Sequence, residues 1–236
     1  MENMLKISDV WPGDMLLCRG RMDGVSPSAW VRQEIANATT SPYTHAAIAR
    51  RDGEIADARI LQGVCVRHLD TLIEESNHIA VFRMHPGLWT NQTLDALQHF
   101  TNALHAQSIG YNHRPFWKWI PMSIEERRLS WKRLRENHEL GIQEELFRYF
   151  DEGPPVPSNP YRSYFCSELV VACINHCGLI DQSAAVIYKP EVHAPGDLVK
   201  DPTFGFLVGF LSSTPSSEVP NNDPLLNATR YRDIYP

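Results

Sequence analysis

One cysteine of this chain has surroundings that suit a nucleophile. It lies in the run Tyr164-Phe165-Cys166-Ser167-Glu168-Leu169-Val170-Val171, where the apolar residues from Leu169 onward read as a helix. The preceding stretch from Gly153 to Pro160 carries four prolines and cannot be helical, so Cys166 falls in the first helical turn. Unpaired backbone N–H groups and the helix dipole favour an anion there, hence a thiolate over a thiol. The same N–H groups suit the oxyanion of an acyl-transfer transition state. The other cysteines read differently: Cys173 and Cys177 lie one turn apart in the middle and end of the apolar helix, and Cys18 and Cys65 sit in apolar strand patterns. All four are expected to be core.

A cysteine nucleophile needs a base, and His45 stands out among ten histidines because it opens a strand directly after the turn Thr39 to Thr44. The following hairpin supplies a geometric test. If Arg51-Asp52-Gly53 forms a three-residue loop, Arg50 pairs with Glu54 and His45 lies opposite Arg59. Asp57 then shares a face with His45 at a diagonal position, about 7–8 Å away at the backbone, which a His–Asp hydrogen bond can close. Asp57 would hold the imidazole in the tautomer the reaction needs. A two-residue Asp52-Gly53 loop reverses the parity and turns Asp57 away. Tyr43, Tyr164, Tyr111 and Ser167 are further candidates to line the site or donate to an oxyanion, and Asn112 and His113 are polar groups for the substrate side.

Positioning these groups requires an ordinary globular frame. The chain has 236 residues, 43% apolar and 21% charged, enough for a substantial single core. Short strands are expected at Met15 to Cys18, His45 to Ala49, Glu54 to Ala58, Gly63 to Leu69, His78 to Met84 and Phe204 to Leu211. Helices are expected after Ser26, around Leu94 to Leu104, from Ser123 (with Glu126 at capping-box spacing) towards Phe150, and from Cys166 to Cys177. The result is an α+β class. The Ser-, Pro- and Asn-rich tail over 212–236 reads as an irregular, loosely packed extension. A net charge of -6 argues against a nucleic-acid partner. The longest apolar stretches are too short to span a bilayer. Five cysteines, an odd and sparse set without an evident signal peptide, point to reduced thiols and a cytoplasmic location. Cys173, His176 and Cys177 lack a second pair of ligands at metal spacing, so no metal is expected.

Taken together, Gly13-Asp14 before an apolar strand, Ser41-Pro42-Tyr43-Thr44-His45, Ile55-Ala56-Asp57-Ala58, Gly110-Tyr111, Tyr164 to Leu169 and Ala194-Pro195-Gly196-Asp197-Leu198 resemble the permuted papain-like amidases of the YiiX/YaeF type. These are circularly permuted relatives of the NlpC-type cell-wall peptidases, and the resemblance covers roughly residues 11 to 210. His45 precedes Cys166, as the permuted order requires. The resemblance implies one domain with a small antiparallel sheet or barrel packed on helices and a helical insertion over about 116–152. It implies Cys166 as nucleophile, His45 as base and an acidic residue one strand later; that residue is more often Glu, and here is Asp57, one methylene shorter. The expected reaction is hydrolysis of a lipid-amide, peptide or other small-molecule amide, without a cofactor. Acyl transfer or thioester cleavage on the same residues is the nearest alternative, and a non-catalytic ligand-binding module the next.

Overall fold

The computed structural model describes residues 4–20, 27–112, 163–180, 190, 193–213 and 219–235. Among these, six strands form one antiparallel sheet: β1 (Met15–Gly20), β2 (His45–Ala49), β3 (Glu54–Arg59), β4 (Gly63–His68), β5 (Ser76–Arg83) and β6 (Phe206–Leu211). Their order is β4-β3-β2-β1-β5-β6, with β4 and β6 at the two edges, so the sheet is open rather than closed into a barrel. Helices α1 (Pro27–Thr39), α2 (Leu69–Glu75), α3 (Asn91–Ala106), α4 (Cys166–His176) and α5 (Pro195–Leu198) accompany it.

Both faces of the sheet are covered, which is why its central strands are apolar in continuous runs rather than alternating. One face presents Leu17, Ala46, Ile48, Ala56, Ala58 and Ala80 to Leu169, Val170 and Cys173 of α4 and to Leu97 and Leu104 of α3. The small alanines let α4 lie close to β2 and β3. The other face presents Leu16, Cys18, Ala47, Ala49, Ile55 and Val81 to Leu69, Leu72 and Ile73 of α2. This short helix takes Leu69, which the sequence pattern assigns to the end of a strand, and fills the stretch before β5. Its signal was the spacing of those three residues at i, i+3 and i+4, compressed into seven residues.

The described part of the C-terminal tail is not loose. Val219 and Leu225 are buried in the main core, and Asp223 is buried with them. The expected helix from Ser123 and the insertion over 116–152 lie outside the described residues, as does His113. Among the described residues no helix is long and apolar enough to cross a membrane.

Candidate active site

The hairpin of β2 and β3 takes the three-residue loop. The Arg50 N–H donates to the Glu54 carbonyl at 2.7 Å. Ala47 faces Asp57 in register. Asp52 in the loop adopts a left-handed backbone with φ 61°, and Gly53 follows with φ 70°, conformations that Asp and Gly tolerate best. With the parity set this way, His45 and Asp57 occupy the same face. The imidazole closes the diagonal, with Nε2 2.7 Å from Asp57 Oδ1.

The Cys166 sulfur lies on the same imidazole and, with Asp57, favours its protonated form. Because Nε2 faces Asp57, Nδ1 is the ring nitrogen left for sulfur. Burial disfavours a charged His45, but the Asp57 carboxylate and the Cys166 sulfur outweigh it and push the imidazole up to about 10. At neutral pH the ring therefore carries its second proton and is placed to act as an acid. Asp57 has no solvent exposure, and burial alone would raise its carboxyl. His45 and Arg67 reverse that and hold it below the usual carboxylate range.

Arg67 is the site residue that the sequence reading missed. Its Nη2 and Nε lie 2.7 and 3.0 Å from Asp57 Oδ2, so one carboxylate oxygen takes His45 and the other takes Arg67. Its remaining Nη1 contacts Glu75 at 2.9 Å and the Thr71 hydroxyl at 3.1 Å, both on α2. Arg59 completes the chain with its own 2.9 Å contact to Glu75. The available signal was strand parity: Arg67 faces Ile55, and Cys65 faces Asp57, so Arg67 shares the Asp57 face on the adjoining strand.

Cys166 is the first residue of α4, with Phe165 in extended conformation before it. Glu168 fastens this helix start by accepting from the Phe165 N–H and the Asn112 amide, each at 2.9 Å. A parallel bridge between Tyr111 and Tyr164 ties the segment before Cys166 to the segment after α3. That segment reaches the sheet edge because Gly63 has no side chain: a Cβ there would stand 2.1 Å from the Ile109 carbonyl, which the Val64 N–H uses at 2.8 Å. The Leu169 N–H is taken by the Phe165 carbonyl at 2.9 Å, so the N–H groups ahead of it belong to the first turn, which has no carbonyl four residues back within the helix.

A cleft of about 250 Å³ opens beside these groups. His45, Tyr111 and Ile35 stand in its wall, and Ile35 and Tyr111 also pack against Cys166. Cys166 itself is only 1% exposed, whereas the His45 side chain is 24% exposed, so the imidazole is the more open of the pair. Burial, with Cys166 next, pushes the Tyr111 phenol well above its usual range.

The remaining predicted residues are placed elsewhere. Tyr43 donates its hydroxyl to Asp223 at 3.0 Å inside the core. The buried Ser167 hydroxyl donates to the His193 carbonyl at 2.6 Å, and Tyr164 is buried in the bridge to Tyr111. Burial pushes the Cys65 thiol up to about 11 and that of Cys177 to about 12, and raises Cys18 and Cys173 as well. His176 stacks on Phe100 with ring centroids 4.2 Å apart. The chain matches no family model, and no curated protein matches it either.

Proposed function

We propose that this protein is a cysteine hydrolase of the permuted papain-like type that cleaves an amide bond through an acyl-enzyme on Cys166. One observation carries the reading: a single imidazole contacts a buried carboxylate on one side and the sulfur at a helix start on the other. The chain order, with His45 far ahead of Cys166, supports the permuted type. The sheet with α4 packed across it supports a papain-like layout, although the sheet is open.

In the reaction the Cys166 sulfur attacks the substrate carbonyl, and the oxyanion forms beside the first-turn N–H groups of α4. His45 donates its proton to the departing amine as the C–N bond breaks, leaving a thioester. The neutral imidazole then takes a proton from water, hydroxide attacks the thioester, and the acid leaves as sulfur recovers its electron pair. Asp57, held by Arg67, keeps the ring oriented through both steps. All five cysteines are unpaired, and a reducing, cytoplasmic setting suits them. A lipid-amide or peptide substrate fits the reaction.

The test is labelling with a neutral haloacetamide followed by peptide mapping. Cys166 is expected to react first and selectively, with His45→Ala slowing it and Cys166→Ala removing the label. Equal labelling of the five thiols, or a Cys166 rate indifferent to His45→Ala, overturns the reading.

A further inference from the structure

The cleft wall next to His45 has a chemical bias. Three guanidinium side chains, Arg32, Arg59 and Arg67, line it against one carboxylate, Glu75. Arg59 and Arg67 both grip Glu75, at 2.9 Å each, which holds that carboxylate against the α2 side. Arg32 comes from α1 and lies across Gly20 at the end of β1. A Cβ on Gly20 would stand 2.6 Å from Arg32 Cδ and 3.1 Å from its Nε, so the missing side chain is what admits the arginine. The same point lies 3.4 Å from Thr44 Oγ1.

Thr44 is the residue directly before His45, it lines the cleft, and it is 2% exposed. Its hydroxyl has no hydrogen-bond partner among the described residues. A buried hydroxyl without a partner is unfavourable unless something in the cleft completes it. A guanidinium beside a hydroxyl donor is the pairing that receives a carboxylate: two oxygens, one for each donor.

We propose that Arg32 and Thr44 form a carboxylate subsite, so that the amide cleaved at Cys166 belongs to an anionic substrate, an amino-acid conjugate or peptide with a free carboxylate close to the scissile bond. This rests on the reading of Cys166 and His45 as the reacting pair. Gly20 has a defined part in it, since any larger residue displaces Arg32 from the corner it shares with Thr44.

Bromoacetylglycine and bromoacetylglycinamide test it on the whole protein. They carry the same reactive carbon and differ only in a carboxylate against a neutral amide, so the ratio of their rates at Cys166 cancels the reactivity of sulfur. The carboxylate probe is expected to react about tenfold faster, the worth of one charge-assisted hydrogen bond. Arg32→Gln should bring the ratio close to one, and Thr44→Val should reduce it in part. A wild-type ratio at or below one, with Cys166 still labelled ahead of the other thiols, overturns the subsite and leaves the hydrolase reading in place. A ratio above one that survives Arg32→Gln also overturns it, because the attraction then comes from another cation of the cleft, His45, Arg59 or Arg67. Failure of both probes to select Cys166 overturns the nucleophile and the subsite together.

Discussion

Two histidine–carboxylate pairs stand on the same sheet, and they have opposite surroundings. His45 and Asp57 meet at 2.7 Å beside the cleft, with a sulfur on the other side of the ring. His78 and Asp223 meet at 3.0 Å, with the Tyr43 hydroxyl 3.3 Å from the same ring nitrogen and 3.0 Å from the carboxylate. Register places them close together: Cys18 of β1 faces His45 on one side, and Arg19 faces His78 on the other. The difference lies in what completes each carboxylate. Asp223 takes Tyr43, His78, Arg19 and the Leu225 N–H, so every group bonded to the carboxylate is a donor. Its role is to clasp the C-terminal tail to the core. Asp57 is equally buried, but its histidine ends at a thiol and a cleft. A His–Asp pair is therefore not a candidate site in itself; a sulfur as third partner and an opening are what set the first pair apart.

The contrast breaks most sharply at the sulfur. Cys166→Ala is expected to lower amide turnover by at least about 10⁴-fold with the thermal midpoint nearly unchanged, measured by hydrolysis assay and calorimetry. Comparable turnover in the variant would place the chemistry elsewhere. At the other pair the effect should fall on stability. Asp223→Ala leaves three buried donors unmatched and should cost about 3 kcal/mol in denaturant unfolding, while folded molecules still label at Cys166. A change below about 0.5 kcal/mol would mean that the tail is not clasped there.

Proton affinity sharpens the comparison further. The folded-state value of His45, about 10, exceeds its ordinary 6.5, so the folded state holds the proton more tightly. The stability this supplies is complete below pH 6.5 and is lost as pH rises through about 10. Turnover should therefore fall along an alkaline limb centred near that value, as His45 loses the proton meant for the leaving amine. Asp57→Asn should move the limb down by about one pH unit or more, read from pH–rate profiles and from the imidazole signals in NMR. An unmoved limb would detach Asp57 from His45. The smallest effect belongs to Arg67. Arg67→Gln keeps the His45–Asp57 contact but loosens the carboxylate, so kcat should drop about tenfold with KM nearly constant. A change confined to KM would instead make Arg67 a substrate contact.

Much of this was legible locally. Cys166 at a helix start follows from a proline-rich loop running into an apolar segment. The meeting of His45 with Asp57 follows from strand parity once the loop length is known, and the tripeptide Arg51-Asp52-Gly53 carries residues suited to left-handed backbone at its second and third positions. Arg67 was harder to see, because an arginine in a strand reads equally well as a solvated side chain. Only the pairing of β3 with β4 aims it at Asp57. The tail misled for a related reason: its composition is that of a loop, and composition does not reveal that Asp223 finds three donors outside the tail, Tyr43, His78 and Arg19.

The linear chain thus determined which groups had the chemistry: a thiol placed at a dipole, an imidazole at a strand start, and a carboxylate on its face. Those properties depend on neighbours within a turn or a hairpin. The fold alone decided which of them meet, because contacts between residues more than a hundred positions apart depend on helix-to-sheet packing. Here that packing is the approach of α4 over the alanines of β2 and β3. It also decided which His–Asp pair adjoins a cleft and which is sealed, since burial is a property of the whole molecule and no local pattern encodes it.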